Sequence, residues 1–426
     1  MASSWFWIGN QSESGFTATV KLTAGAASAR LKVSTSAGMT SPVYSPALAP
    51  DALNYVKLTV TGLAPDTQYY FQAEIDGVVD TALTGECKTF PTSGSPATFT
   101  FGSASCNETA SNHAVFDSIA AKRPLLFVHV GDFNYAGVST LAEADYRVPY
   151  DTGLSLSRRK AFHRVVPTPY VWDDHDFGGN NTDATFVGRL AARAAYGAIV
   201  PSHPLVSPYG IYHTFDVGLV RFILSDLRAF RSPNAMPDGR GKSMMGWTQR
   251  EWFLDLIAQS AIDGTRAIVW ASSNQFSIEE NNPNAVDPAD TWRAFSYERS
   301  LIARHMRRVG CPPVIVVSGD AHEIALRYEY VNSGMSFVVS QNAALDRSSN
   351  TRYDYWDRGP VAGGGHYSLI TLDDDGDSTL TARFRAYEVS SGGADTVLWD
   401  DTIDLHPRIR QPGVTAHHHR RRTAAT

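Results

Sequence analysis

Asp173, Asp174, His175 and Asp176 stand in an unbroken row, after the apolar run "TPYVW" and before Gly178, Gly179, Asn180 and Asn181. Three carboxylates around an imidazole repel one another unless solvent at a turn or a cation offsets them. Other apolar runs end in the same way. "ATFTFGSASCNE" delivers Cys106 and Asn107, and "LLFVHVGDFNY" delivers Asp132 and Tyr135. "LVRFILSDLRAFR" ends in Asp226, Arg228 and Arg231, "AIVWASSNQ" in Asn274 and Gln275, and "PPVIVVSGDAHE" in Asp320 and His322. One polar tip is ordinary turn chemistry; a set offering Cys, Asp, Tyr, His, Asn and Arg is not. Thiolate, phenolate, imidazole and carboxylate together favour a transition metal. A site for Mg2+ or Ca2+ alone would use oxygens, whereas a ferric ion suits thiolate and phenolate beside carboxylates.

These tips can converge if the runs are strands of open α/β sheets, which bind ligands at the carboxyl ends of their strands. Helical stretches such as "NHAVFDSIAAKR", "WTQREWFLDLIAQS" and "YERSLIARHMRRV" alternate with the runs, with apolar residues three and four apart. The alternation predicts a layered α/β domain. From about residue 366 three strands return as a meander that completes a sheet. The first ninety residues differ: they read as all-β, with β-forming runs between Gly, Pro and Ser turns. In "VTGLAPDTQYYFQAEIDG", Tyr69 and Phe71 resemble the corner of a fibronectin type III or immunoglobulin-like sandwich, where a tyrosine hydroxyl bonds back to nearby backbone. That segment holds no cluster of chemistry, so its role is scaffolding, shielding or carbohydrate contact. The expected division is a sandwich over 1–91, a linker over 92–97, the α/β domain over 98–406 and a polar, unstructured tail over 407–426.

The bulk properties narrow the class. A chain of 426 residues exceeds one ordinary core, which favours two domains. Hydrophobic content of 43% and charged content of 19% fit a soluble globular protein. A net charge of −6 gives no general attraction to nucleic acid or an anionic membrane. No run approaches the roughly 18 apolar residues of a membrane-spanning helix, and no basic region followed by an apolar one marks a leader. Three cysteines make no disulfide framework; Cys87 and Cys311 are expected to be buried thiols. His129 is expected to be a satisfied histidine between strands, and Trp247, Trp252 and Phe253 to lie in the core. "DDDGD", residues 373–377, reads as a hairpin turn rather than a calcium loop, and His417, His418 and His419 as solvated.

The ordered set "SCN", "GDFNYA", "WDDHDFGGNN", "LSDLRAFR", "MMGWTQREWF", "YERSLI" and "SGDAHE" resembles the PhoD-type alkaline phosphatases, a branch of the calcineurin-like metallophosphoesterases, over residues 98–405. A preceding fibronectin-like domain is also frequent in that family. The resemblance implies an N-terminal immunoglobulin/fibronectin III-like β-sandwich followed by an α/β metallophosphoesterase domain, a four-layer αββα sandwich. It implies a dinuclear or larger centre of Fe3+ and Ca2+. Cys106, Asp132 and Tyr135 would hold the ferric ion, joined by His322 or Asp320. Asp132 would bridge to the second ion, completed by Asp174 and by Asn180, which the glycines let return to the ion. The substrate would be a phosphate ester, a small molecule or a lipid head group, attacked by a metal-bound hydroxide. His175 would act near the leaving group, tuned by Asp174 or Asp176, and Arg228 or Arg231 would grip a phosphate oxygen. Asn107, Asp176, Asp226 and Gln275 would be supporting or substrate-contacting residues. Asp226 with Arg228 and Arg231 reads equally as an internal ion pair holding a loop.

"SCN" and "DDH" stand where ordinary metallophosphoesterases have Asp-x-His and Asn-His, which argues against a purine-nucleotidase or diadenosine-type member. Two alternatives stay open. One is a phosphodiesterase with phospholipase D-type activity. The other is a surface binding protein on a degenerate phosphatase fold, against which the full donor set counts. The family is often exported through a twin-arginine leader, and none is visible. The reading leans to an exported protein shown without its leader, with a cytoplasmic one as the alternative.

Overall fold

The structure is a computed structural model that describes residues 2–277, 289–347, 356–376 and 379–405. Seven strands come first: β1 (Ser3–Ser12), β2 (Gly15–Leu22), β3 (Ala29–Ser34), β4 (Val43–Tyr44), β5 (Tyr55–Thr61), β6 (Gln68–Ile75) and β7 (Val78–Lys88). Residues of β6 alternate strictly, with Tyr69, Phe71, Ala73 and Ile75 buried, so one face must meet a second sheet. The sheets are β1-β2-β5 and β4-β3-β6-β7, antiparallel throughout, closed over Phe6, Val20, Leu31, Leu58 and Phe71. At the corner before β6 the Tyr69 hydroxyl accepts the Ala64 backbone N–H at 2.9 Å. Replacing Tyr69 by Phe should cost about 1 kcal/mol. The check is a lower urea midpoint with an unchanged slope; an unshifted midpoint would show that the hydroxyl adds nothing.

The chain goes on with β8 (Phe99–Ala104), α1 (Val115–Lys122), β9 (Leu126–Val130), α2 (Glu143–Ser155), α3 (Ser157–His163) and β10 (Tyr170–Val171). It continues through α4 (Asp174–Phe177), α5 (Arg189–Ile199), β11 (His213–Val217), β12 (Val220–Leu224), α6 (Gly246–Ser260) and β13 (Ala267–Ser272). Then come α7 (Ser296–Val309), β14 (Val314–Ser318), β15 (Glu323–Asn332), β16 (Met335–Asn342), β17 (Arg358–Ala362), β18 (His366–Asp373), β19 (Leu380–Val389) and β20 (Asp395–Leu405). Two sheets result, ordered β10-β9-β8-β18-β19-β20 and β11-β12-β13-β14-β16-β15-β17. The closing meander joins the first through antiparallel pairing of β18 with β8.

The central strands β9, β13, β14 and β16 are buried on both faces, which explains the unbroken apolar runs. In β9, Leu126, Val128 and Val130 enter the central core while Phe127 faces α1 and α3. In β13, Val269 and Ala271 enter the same core while Ile268 and Trp270 meet α6 and α7. Phe101 of β8 packs edge-on against Phe222 of β12 at 5.3 Å, which places the sheets face to face. The layers are therefore helix, sheet, sheet, helix.

The segment expected to be a linker is docked, since Gly94 donates its backbone N–H to the Gly218 carbonyl. The sandwich shares the central core as well: the Trp7 ring stacks on Phe133 with centroids 5.0 Å apart, and its Nε1 donates to the Thr168 carbonyl at 3.0 Å. One core expectation needs correction. Phe253 is buried on α6, but Trp247 is 68% exposed, because its place in the first turn of the helix faces away from the sheet. Asp373 pairs with Thr381 across the β18–β19 turn; Asp377 of "DDDGD" and the tail beyond Leu405, with its histidines, lie outside the described residues. No helix among the described residues is long and apolar enough to cross a membrane.

Candidate metal centre

The strand tips of the two face-to-face sheets meet at one end of the pair, where Gly319 lies against the Val130 carbonyl. Cys106 N donates to Gly131 O and Asn107 N to Asp132 O, tying the ends of β8 and β9 together; Gly319 N donates to Ser273 O, tying β14 to β13. Two glycines permit the meeting. A Cβ on Gly319 would lie 2.5 Å from the Val130 carbonyl oxygen, and one on Gly131 would lie 2.7 Å from the Asp173 Cβ. The residues that end these strands adopt a backbone that side chains disfavour: Cys106, Asp132, Asp320 and His322 all have φ between 51° and 70°. Such outliers persist only where surroundings over-determine them, and they concentrate at functional sites.

The donor atoms of Cys106, Asp132 and His322 lie within 4.8 Å of one another, and so do those of Asp132, Asp173 and Asp174. Asp132 belongs to both groups. Its Oδ2 accepts from Tyr135 Oη at 2.8 Å and lies 3.6 Å from Cys106 Sγ, while its buried Oδ1 has no hydrogen-bond partner among the described residues. Tyr135 Oη is also 2.8 Å from His322 Nε2. Burial, then the carboxylates of Asp174, Asp173, Asp176 and Asp320, push Asp132 well above the usual range. Burial and Asp132 push the Cys106 thiol and the Tyr135 phenol upward as well. Burial, with the charges of Arg347 and His175, holds His322 down to about 4. This is a centre of ligand-type groups that repel one another's charged forms, the condition a bound cation reverses.

The acidic row is a single turn of helix, and its carboxylates do different work. Asp176 accepts the backbone N–H groups of Phe133, Asn134 and Asp173 and the Asn134 amide, so it pins the "GDFN" loop. Asp174 accepts the backbone N–H groups of His175 and Asn181, each at 2.7 Å. Asp173 is paired with the Arg228 Nε. Arg228 also forks onto Asp290 at 3.0 and 2.7 Å, and Arg231 reaches Asp290 Oδ1 at 2.9 Å and Asn274 Oδ1 at 2.6 Å. Both guanidinium groups are fully buried.

A model of the PhoD-like phosphatase family matches residues 101–341. The chain belongs to the PhoD-like phosphatase family. Its fold is similar to that of a solved structure described as PhoD, with a TM-score of 0.78 at 18% identity over 97% of this chain and 92% of that one. It is also similar to a purple acid phosphatase from yellow lupin (Lupinus luteus) seeds, with a TM-score of 0.60 at 13% identity over 94% of this chain and 74% of that one. No curated protein matches the sequence. Membership makes the chain a phosphoric ester hydrolase of a metal-dependent kind.

In this PhoD-like chain several expected site residues sit elsewhere than the sequence suggested. Arg228 and Arg231 do not present a free fork to a substrate phosphate, because their donors are spent on buried carboxylates and amides. Their shared counter-charge is Asp290, with Asp173 also on Arg228, rather than Asp226, whose carboxylate accepts Trp172 Nε1 and the backbone N–H groups of Ile211, Arg228 and Ala229. Asn180 is exposed, and it is the backbone N–H of Asn181 that returns to Asp174. Asp176 faces the loop rather than the His175 imidazole, so it does not tune that ring. His175 is half-buried with its ring 4.3 Å from Tyr135, and burial lowers its pKa.

Asn107 bridges Phe133 O and His129 Nε2, supporting the loop from beneath. Gln275 is buried, and its Nε2 has no partner among the described residues. Asp320 accepts Asn274 Nδ2 at 3.1 Å, and burial with Asp173 and Asp290 raises it. Two residues carried no signal in the sequence. Asp290 lies in a turn outside every apolar run, detectable only as the charge that two buried arginines three apart require. Arg347 lies over the Tyr135 ring at 4.4 Å.

Proposed function

We propose that this protein hydrolyses phosphate esters at a two-cation centre whose shared ligand is Asp132. The observation that carries the reading is the position of Asp132 in two donor groups of different chemistry, with a buried oxygen that has no hydrogen-bond partner among the described residues. Cys106, Tyr135 and His322 beside it would hold a ferric ion, and Asp173 and Asp174, with Asp320 near, a harder ion such as Ca2+. Cations held there would neutralise the substrate phosphate and activate water.

The chain's own residues orient and exclude. Arg228 holds Asp173 toward the centre, and Asp176 holds the loop that carries Asp132. His175, kept neutral by burial, offers a hydrogen bond on the open side near Tyr135. The N-terminal sandwich fits a fibronectin type III-like unit, supported by its strands of three and four and by the Tyr69 corner.

The test combines metal analysis with assays of p-nitrophenyl phosphate and its bis-ester, which separate monoesterase from diesterase. Pure protein should contain iron and lose activity on chelation; full activity in metal-free protein would refute the reading. A tyrosinate–ferric pair absorbs in the visible, so Tyr135→Phe should remove that contribution, leaving any thiolate–ferric absorption from Cys106 and the Asp173–Asp174 side intact. A colourless wild type that holds iron would remove Tyr135 from the ligand set.

A further inference from the structure

Both arginines nearest the acidic row are buried and saturated, which leaves the question of what receives the substrate's own charge. Arg347 is placed for it. The segment that carries it is laid along the strand tip: Leu345 N donates to Ser105 O, and Asp346 N and Arg347 N both point to Cys106 O. Asp346 returns a second tie by accepting Glu108 N at 2.6 Å. These bonds put the Arg347 guanidinium over the face of Tyr135, 4.4 Å from the ring centroid, on the ring whose hydroxyl joins Asp132 to His322. A guanidinium stacked on an aromatic face keeps its planar fork directed outward. That fork meets Glu108, and the pair is open to solvent, with side-chain exposures of 41% and 38%. An exposed pair of this kind holds weakly and exchanges readily for a stronger anion.

We propose that Arg347 is a substrate-binding residue that takes the non-bridging oxygens of a phosphomonoester dianion, and that Glu108 is the resident carboxylate the dianion displaces. The proposal rests on the phosphoesterase reading and names the substrate class of that site. A dianion offers the fork two charged oxygens, whereas a diester monoanion carries one charge and a second bulky arm, so Arg347 favours monoesters.

The experiment uses the metal-loaded full chain and two variants, Arg347→Gln and Glu108→Gln, with metal content and melting temperature measured for each. Inorganic phosphate binding is read by calorimetry, and hydrolysis is read on p-nitrophenyl phosphate and its bis-ester. Losing charge-assisted bonds to phosphate should weaken phosphate binding in Arg347→Gln by roughly ten- to a hundredfold. Its KM for the monoester should rise correspondingly, with a smaller change for the diester and no loss of metal. Glu108→Gln should move phosphate affinity the opposite way, because the fork is no longer occupied. Wild-type phosphate affinity in Arg347→Gln overturns the inference, as does an equal loss on both esters. A wild type that hydrolyses neither ester overturns the phosphoesterase reading instead, and the calorimetry still decides Arg347.

Discussion

Asp132→Asn should abolish bound metal and hydrolysis together while leaving a metal-free fold no less stable than the wild type. The two effects have opposite signs and one cause. Asp132 is shared by both donor groups, so its loss opens both sides of the centre. Residues that merely orient ligands cost roughly 10–100-fold when removed, and the loss here should exceed that range. In the metal-free fold the same carboxylate is a burden, since burial and four neighbouring carboxylates hold its pKa well above the unfolded value. A carboxyl raised on folding destabilises as pH climbs through its unfolded pKa of about 4. The metal-free wild type should therefore weaken from that pH upward, and the asparagine variant should weaken less. Metal analysis, ester assays and melting curves of both metal-free proteins make the check. A variant that hydrolyses at the wild-type rate would end the assignment.

Asp290→Ala should be the most destabilising single change in the buried ion network, by about 3–5 kcal/mol. Arg228 would keep Asp173, but Arg231 would lose its only carboxylate partner among the described residues and remain fully buried. Removing one member of a buried pair leaves an uncompensated charge, which costs far more than the pair itself contributes. The pH dependence has a definite sign. Burial alone would raise the Asp290 carboxyl, but Arg228 and Arg231 outweigh it and hold the group down to about 2. A carboxyl lowered on folding contributes its stability above the unfolded pKa of about 4 and loses it between there and about pH 2. Urea unfolding of wild type should show that acid limb, and in Asp290→Ala it should be shallower, since only other lowered carboxyls such as Asp51, Asp80 and Asp263 remain. A variant within about 1 kcal/mol of wild type would mean that relaxation or water replaces the carboxylate.

Much of the centre was legible because strand periodicity carries it. Cys106, Asp132, Asp320 and His322 each stand just beyond an apolar run, and a run buried on both faces leaves only its tip for chemistry. What strand tips cannot reveal is direction. Asp173 and Asp174 are neighbours of like type, and only the fold shows both aimed at Asp132 while Asp176 turns to the loop. Charge pairing was half legible: "DLRAFR" announced an internal pair, but the partner came from residue 290, some sixty positions on, where no periodicity points. The left-handed backbone of four residues at three strand ends was at most faintly signalled: Asp and His enter that region more readily than most side chains, but they do so uncommonly, and Cys106 gave no hint. The sandwich was recognisable by alternation, yet nothing in "SSWFWIGN" foretold that its indole would serve the other domain.

That indole ties the sandwich to the loop around Asp132. Trp7, near the start of the chain, is the stacking partner of Phe133, the residue next to Asp132. The sandwich is thus no interchangeable module hung on a linker. Exchanging it for a foreign unit of the same topology would loosen the loop around Asp132, unless the incoming strand brought an aromatic ring to the same spot. The ring contact is reinforced by bonds on either side of it, from Trp5 Nε1 to Asp151 and from Thr168 N to the Ile8 carbonyl.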